Sequence, residues 1–159
     1  MSQPIAVRRG RHRSGPSTGG FKPVADTVSA DHVYMYDSNA GRVAVSSDGG
    51  SSFAITLSGL PTAGGEIKAV PEREGHWWLP AGDGGLYRST NYGGAVSKVA
   101  GLDAAWRLGL GRAKMTGGYP AIYVWGRRGE VSGFWRSDDE GGPGYASMMT
   151  RISLAGSTI

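Results

Sequence analysis

Residues 42–57 read RVAVSSDGGSSFAITL, two short runs rich in apolar and β-branched residues joined by a polar turn. The turn follows the pattern Ser-x-Asp-x-Gly-x-Ser-Phe, with Ser46, Asp48, Gly50 and Phe53 at its marked places. An Asp side chain can accept hydrogen bonds from backbone N–H groups a few residues on, and the Gly permits a positive φ. The aromatic residue is expected to pack between sheets. The stretch therefore predicts a β-hairpin whose turn is fastened by its aspartate.

The same pattern occurs twice more, in LYRSTNYGGAVSKV (86–99) and FWRSDDEGGPGYASMMTRI (134–152). The equivalent positions are Ser89, Asn91 and Gly93, then Ser137, Asp139 and Gly141. The third residue of the pattern recurs after 43 and then 48 residues. Both steps match the period of roughly 40 to 50 residues that a four-stranded propeller blade occupies. The second turn has Asn in place of Asp and Ala95-Val96 in place of the hydroxyl and aromatic pair, so we expect a weaker fastener there.

The surrounding sequence completes each repeat. Two short runs rich in Val, Tyr, Trp and Ile precede each turn and one follows it, with Gly, Pro, Asn or Asp between them. No segment of helix length shows a 3.6-residue apolar period. The sequence therefore predicts an all-β fold, a partial β-propeller of about three four-stranded blades covering approximately residues 21–60, 66–101 and 105–154.

Composition narrows the function classes. The chain has 159 residues, 28 glycines and no cysteine, and 39% of its residues are hydrophobic. That apolar content excludes collagen and a disordered tract, and the missing cysteines exclude disulfides, thiolate metal sites and a cysteine nucleophile. The three histidines are isolated, and we expect neither a metal site nor a cofactor.

The net charge of +4 lies in the first 20 residues, where Arg8, Arg9, Arg11 and Arg13 have no acidic neighbour. We expect residues 1–20 to be a disordered basic leader. The remaining residues are balanced in charge, which argues against a nucleic-acid-binding domain, since such domains carry a basic stripe on their folded surface. No apolar run has the length of a membrane helix, and the leader lacks the apolar stretch of a signal peptide.

The turn pattern resembles the Asp-box (BNR) repeat of sialidase-like propellers. More specifically, three stretches resemble consecutive parts of glycoside hydrolase family 74, the xyloglucan-active endoglucanases. They are GFKPVADTVSADHVYMYDSNAGRVAVSSDGGSSF, GLPTAGGEIKAVPEREGHWWLPAGDGGLYRST and YPAIYVWGRRGEVSGFWRSDDEGG. The resemblance covers roughly residues 21–154. It implies an extracellular, polysaccharide-degrading parent protein with two seven-bladed propellers, of which this chain matches late blades of the second.

The resemblance also bears on catalysis. Hydrolysis in that family is inverting and needs two carboxylates, one acid and one base, typically roughly 6.5 to 9.5 Å apart. The resemblance places both aspartates in upstream blades, and nothing in residues 21–154 matches either motif. We therefore assign no catalytic residue and expect the chain alone to be inactive.

Candidate sugar contacts come from one strand and the loop after it. Trp77 and Trp78 are adjacent in a predicted strand and point to opposite faces of the sheet, so we expect one to be core and the other exposed. An exposed indole beside the loop 82–85 could stack on a sugar ring, with Asp83 as a hydrogen-bond acceptor. On the predicted ligand face, formed by the connections opposite the Ser-x-Asp turns, the other acidic candidates are Asp37, Glu66, Asp103 and Glu130.

Two functions remain open from sequence. One is a fragment of a xyloglucan or β-glucan hydrolase; the other is an Asp-box propeller that binds carbohydrate or protein. Propellers close with about four to eight blades, so three blades leave two apolar faces uncovered. We therefore expect the remaining blades of a parent protein, or a homo-oligomer, to complete the ring.

Overall fold

A computed structural model describes residues 21–138 and the backbone of Thr150–Ile152. Within these residues there are twelve β-strands and no helix. The strands, in chain order, are β1 Val24–Ala25, β2 Val33–Asp37, β3 Arg42–Ser46, β4 Ala54–Leu57, β5 Lys68–Ala69, β6 Trp77–Pro80, β7 Leu86–Ser89, β8 Ser97–Lys98, β9 Ala104–Leu110, β10 Ile122–Arg128, β11 Val131–Ser137 and β12 Thr150–Ile152.

The strands form three four-stranded antiparallel sheets, each built from four consecutive strands. Sheet 1 is β1-β2-β3-β4, sheet 2 is β5-β6-β7-β8, and sheet 3 has the order β12-β11-β10-β9. Each sheet is therefore a meander with the topology of one propeller blade. The predicted all-β fold of about three blades is confirmed. The basic leader and the third-turn residues Asp139 and Gly141 lie outside the described residues.

Buried and half-buried residues alternate along β2, and this alternation determines which face of sheet 1 is buried. Tyr34 and Tyr36 are buried against sheet 2, whereas Val33 and Met35 are half-buried on the opposite face. Successive side chains in a strand point to opposite faces, and aromatic and β-branched residues favour this backbone. The register Tyr34↔Val45 and Tyr36↔Val43 gathers four apolar side chains on one face.

Two hydrophobic cores fill the spaces between the sheets. The first lies between sheets 1 and 2 and includes Tyr34, Tyr36, Trp77 and Leu79. The second lies between sheets 2 and 3 and is larger; its buried members are Val70, Trp78, Leu86, Val99, Leu102, Ala105, Leu108, Tyr119, Ile122, Val124 and Trp135. Sheet 2 is therefore covered on both faces, and all four residues of β6 are buried.

Glycine permits the tight passage between sheets 1 and 2. A Cβ added at Gly65 would lie 1.9 Å from the carbonyl oxygen of Pro80, and one added at Gly41 would lie 2.0 Å from that of Leu60. Gly41 also has a φ of +60°, a backbone conformation that residues with a Cβ rarely adopt. The connection 58–67 can therefore run directly against the ends of β3 and β6.

Candidate functional site

The two tryptophans of β6 are both buried, with exposed fractions of 0% for Trp77 and 1% for Trp78. Trp77 faces sheet 1, where its ring centroid lies 6.3 Å from that of Tyr34. Trp78 faces sheet 3 and donates its indole N–H to the Tyr119 hydroxyl at 3.0 Å. The prediction that one of them is exposed is wrong, because neighbouring sheets cover both faces of β6. In this arrangement neither indole offers a face on which a sugar ring could stack.

Asp83 lies at the surface, on the turn between β6 and β7. The turn is closed by backbone hydrogen bonds: Ala81 N–H donates to Gly85 O at 2.8 Å and Gly84 N–H donates to Ala81 O at 2.9 Å. Gly82 has a φ of +58° and forms a β-bridge with Ala105 at the start of β9. Backbone bonds to two sheets therefore hold the exposed carboxylate on a rigid turn.

Small residues of the connection 58–67 lie beside this turn. A Cβ on Gly84 would lie 2.2 Å from the Pro61 side chain, and one on Gly82 would lie 3.0 Å from Ala63. The Tyr36 hydroxyl donates to the carbonyl oxygens of Pro61 and Ala63 from below. The turn that carries Asp83 is therefore packed against Pro61 and Ala63, which have short side chains.

Three of the other acidic candidates have partners within the described residues. Asp103 accepts a hydrogen bond from Gly129 N–H at 2.6 Å. Partial desolvation raises the pKa of Asp37, but hydrogen bonds from Arg42 and from two backbone N–H groups outweigh it and lower that pKa. The Lys22 ammonium, at 2.6 Å, and the Lys68 ammonium, at 3.2 Å, lower the pKa of Glu66.

Glu130 and Asp83 differ from these three. Both are exposed, and neither carboxylate has a hydrogen bond or ion pair within the described part of the chain. Two of the five acidic candidates are therefore available to an external hydrogen-bond donor such as a sugar hydroxyl.

A concavity of about 450 Å³ lies where the first strands of the three sheets converge. Its lining includes Val24 from β1, Lys68 from β5 and Leu108 from β9. Glu66 also lines it, held by its two lysines. The first strands are thus the innermost ones, which is the arrangement around the central channel of a propeller.

The first Ser-x-Asp turn is closed by side-chain hydrogen bonds. The Asp48 carboxylate accepts from the Ser52 hydroxyl at 2.6 Å, the Ser52 N–H at 2.8 Å and the Ser46 hydroxyl at 2.8 Å. These hydrogen bonds, that of the Ser52 hydroxyl first, lower the pKa of Asp48 to about 2. Gly50 N–H donates to the Ser46 hydroxyl at 2.9 Å, and Gly50 has a φ of +87°. Phe53 is half-buried and belongs to neither core.

The second turn repeats these contacts with one omission. Asn91 Oδ1 accepts from the Ser89 hydroxyl at 3.1 Å and from Ala95 N–H at 2.8 Å, while Gly93 N–H donates to the Ser89 hydroxyl at 2.9 Å. Ala95 has no hydroxyl to replace that of Ser52. In the third turn Ser137 is buried at the end of β11.

Sequence reasoning missed a hydrogen-bonded group between sheets 1 and 2. Asp26, after β1, accepts from the Tyr34 hydroxyl at 2.6 Å and from the N–H groups of Gly75, Ser29 and Val28 at 2.8 to 2.9 Å. Burial raises the pKa of Asp26, but these hydrogen bonds together lower it below the usual value. Burial and the neighbouring carboxylate raise the pKa of Tyr34. The available signal was local, an Asp that directly follows a strand and precedes a Ser by three residues.

Two features are absent from the described part of the chain. Residues 21–138 contain no group of three or more His, Asp or Glu side chains that could hold a metal ion. In the same part of the chain no helix is long and apolar enough to cross a membrane.

Comparison with known proteins gives a consistent set of relatives. No protein-family model matches the chain. Xyloglucanase Xgh74A of Acetivibrio thermocellus is 42% identical over 123 residues, which is 77% of this chain and 14% of the relative. A xyloglucanase of a Paenibacillus species is 35% identical over 127 residues, 76% of this chain and 12% of the relative. An oligoxyloglucan-reducing end-specific xyloglucanase of Emericella nidulans is 30% identical over 138 residues, 79% of this chain and 17% of the relative.

Solved structures agree with these relatives. The GH74 enzyme of Niastella koreensis matches with a TM-score of 0.74 and 33% identity, over 84% of this chain and 19% of that one. The GH74 xyloglucanase of Xanthomonas campestris matches with a TM-score of 0.69 and 30% identity over the same shares. The chain therefore spans less than a fifth of the length of each of these five proteins.

Proposed function

Because the chain is homologous to a fragment of the glycoside hydrolase family 74 xyloglucanases, we propose that it is a propeller segment of an extracellular, xyloglucan-active protein and that it contacts the polysaccharide without cleaving it. The observation that carries this proposal is the match at 42% identity over 77% of the chain to a xyloglucanase. The three-bladed fold supports it, since a segment of a propeller can retain blades whose strands are all local in sequence.

The lack of cleavage follows from the chemistry. Inverting hydrolysis needs an acid and a base on opposite sides of the glycosidic bond, with room for water between them. Neither catalytic motif of the family has a counterpart in residues 21–154. Asp83 and Glu130 are exposed, as ligand contacts often are, and neither is buried in the way that is typical of a general acid.

The contact surface in this proposal consists of the turn that carries Asp83 and of the neighbouring residues Pro61 and Ala63. Polysaccharide chains are long and flat, and a rigid turn with one protruding carboxylate suits hydrogen bonding to their hydroxyls. Trp77 and Trp78 contribute indirectly, since their burial fixes β6 and hence the turn that follows it.

The test incubates the chain with xyloglucan and measures both reducing ends and retention on the immobilised polysaccharide. We expect retention without release, and retention weakened severalfold by Asp83→Ala. Asp31→Ala is the matched control, because Asp31 is another exposed acid and lies beside the first Ser-x-Asp turn, where its carbonyl oxygen accepts from Gly49 N–H. Release of reducing ends by the unmodified chain would refute the non-cleaving role. Equal retention by both variants would remove Asp83 from the contact surface.

A second proposed function is an Asp-box scaffold that binds carbohydrate or protein as part of a closed ring. Its support is the shared hydrogen-bond pattern of the turns at Asp48 and Asn91, in which a serine, an acid or amide and a glycine repeat their contacts. Completion of the ring would come from the remaining blades of a parent protein or from further copies of the chain.

A further inference from the structure

A second concavity, of about 400 Å³, lies where sheets 2 and 3 meet. Its wall consists of residues 111–118 and Pro120 from the connection between β9 and β10, and of Pro71 and Glu72 from the connection between β5 and β6. In an antiparallel meander these two connections lie at the same end of the sheets, whereas the turn with Asp83, between β6 and β7, lies at the other end. The concavity is therefore separate from the proposed xyloglucan contact.

Arg73 holds the two connections together. Its guanidinium donates to the carbonyl oxygen of Gly117 at 2.7 Å and lies 5.9 Å from the centroid of the Tyr119 ring, which is buried in the core between sheets 2 and 3. Gly117 has a φ of +73°, within a turn in which Gly118 N–H donates to the carbonyl oxygen of Met115 at 3.0 Å. Contacts from two sheets therefore hold the wall of the concavity in place.

Two cations and one carboxylate of this wall have no partner in the described part of the chain. Arg112, Lys114 and Glu72 are exposed, and none of them makes a hydrogen bond or an ion pair within residues 21–138. The charged groups of the lining are thus positive on balance. An arginine fork matches a carboxylate with two parallel hydrogen bonds, and a lysine adds a compact positive charge. A ligand that carries a carboxylate fits these two cations.

Glu72 has a backbone conformation that is rare for residues other than glycine, with a φ of +60°. Among the described residues only Tyr92 shares this property, and contacts account for it: the Tyr92 hydroxyl donates to Glu74 at 2.7 Å and the ring stacks on His32 at 4.1 Å. The Glu72 side chain makes no such contact within that range. Strained residues of this kind collect at binding sites, so the position of Glu72 points to a ligand.

The lining also offers apolar surface beside its charges. Met115 is 73% exposed, the largest exposed fraction among the large hydrophobic side chains described, and Pro71 and Pro120 lie in the same wall. A sugar acid presents the matching groups within one ring: a carboxylate for the cations, hydroxyls that can donate to Glu72, and an apolar C–H face. An acidic peptide lacks those hydroxyls, and a run of acidic residues would bring further negative charge next to Glu72. The mixed lining therefore favours a sugar acid.

We propose that this concavity binds an acidic polysaccharide, with a uronate carboxylate held by Arg112 and Lys114. Hydroxyls of the ring donate to Glu72, and its C–H face lies against Met115. The site goes beyond the proposed xyloglucan contact, because it takes a charged polymer at the other end of the sheets. The chain thereby contacts two kinds of polysaccharide.

Calorimetric titration of the full chain with polygalacturonate, a polymer of a uronic acid, tests the site. We expect Arg112→Ala and Lys114→Ala each to weaken binding by about fivefold or more, with unchanged circular dichroism. Arg107→Ala is the matched control, because Arg107 is an exposed arginine of β9 outside the concavity and its loss removes the same charge. The arginines of residues 8–13 attract any polyanion, so variants that differ by one charge are compared with each other. Equal weakening by all three substitutions, or no binding by the unmodified chain, would overturn the proposal.

Two further ligands separate the carboxylate from the ring. Methyl-esterified polygalacturonate keeps the ring without the charge and should bind far more weakly than the acid; equal binding would refute the pairing with Arg112. Polyglutamate supplies the charge without the ring, and its binding should fall equally in Arg112→Ala and Arg107→Ala. Tighter binding of polyglutamate, lost only in Arg112→Ala, would replace the polysaccharide with an acidic protein partner.

Retention on xyloglucan keeps this proposal apart from the earlier one. Arg112→Ala should leave that retention unchanged, and Asp83→Ala should leave binding of polygalacturonate unchanged. Loss of both activities in either variant would contradict two separate sites. Failure of one polysaccharide to bind therefore removes one proposal and leaves the other standing.

Discussion

At the scale of single residues, the adjacent indoles of β6 differ in one polar contact. The Trp78 indole N–H donates to the Tyr119 hydroxyl, and the Arg88 guanidinium lies 5.4 Å from the Trp78 ring centroid. The Trp77 indole nitrogen is buried without a hydrogen-bond partner among the described residues. Both side chains are buried, but only the Trp78 indole N–H has a hydrogen-bond partner among the described residues.

Substituting each tryptophan by phenylalanine should reveal that difference. Both variants lose indole volume in a core, but Trp78→Phe also removes a hydrogen bond and weakens the packing of Arg88. We expect Trp78→Phe to lower the free energy of unfolding by about 1 kcal/mol more than Trp77→Phe, the net value of a buried hydrogen bond. Urea unfolding monitored by circular dichroism measures both. Equal losses of unfolding free energy in the two variants would contradict a stabilising hydrogen bond between Trp78 and Tyr119.

The neighbouring glycines 64 and 65 form a second matched pair. A Cβ at Gly65 would lie 1.9 Å from Pro80 O, whereas one at Gly64 would meet no atom within 4 Å. We expect Gly65→Ala to cost about 1 to 3 kcal/mol of stability, because the connection must move away from β6. Gly64→Ala should stay within about 0.5 kcal/mol of the parent chain. Thermal unfolding of the two variants, side by side, decides this, and similar melting temperatures would argue against the close approach.

At the scale of the element, the turn between β3 and β4 depends on an ionised side chain. The folded-state pKa of Asp48 is about 2, below the value of roughly 3.9 for an unfolded chain. Its contribution to stability is therefore fully present above about pH 4 and is lost as the pH falls toward about 2. Asn91 occupies the same place in the turn between β7 and β8 and carries no charge to titrate.

Asp48→Asn should make the first turn resemble the second. Asn keeps one acceptor oxygen, but its amide nitrogen cannot accept from the Ser52 hydroxyl. We expect the variant to be less stable than the parent chain at pH 6, and the gap to narrow as the pH falls from 4 toward 2. Urea midpoints of the two chains across that range measure the difference in stability. Titration of Asp26, Asp37 and Glu66 affects both chains alike and cancels in that difference. A gap independent of pH would show that the charge of Asp48 is irrelevant.

At the scale of the whole molecule, the three blades could be predicted from the sequence, but the packing of one blade on the next could not. Alternating residues and Gly-containing turns are local signals, so three blades of four strands could be predicted from them. The error at Trp77 and Trp78 came from assuming one solvent-facing side, although the unbroken apolar run WWLP is typical of a strand buried on both faces. The bond from Gly75 to Asp26 joins residues 49 apart, and no local pattern contains it.

The double covering of sheet 2 has a consequence for how the molecule opens. Sheet 1 or sheet 3 can separate by breaking one core, but sheet 2 can be exposed only by breaking both. In a row of stacked units stability is shared between neighbours, so the end units fray first. Amide hydrogen exchange should therefore be slowest in β6 and should follow global unfolding there, while amides of β2 and β10 exchange through partial opening. Closure into a ring would erase this gradient, since a ring has no end.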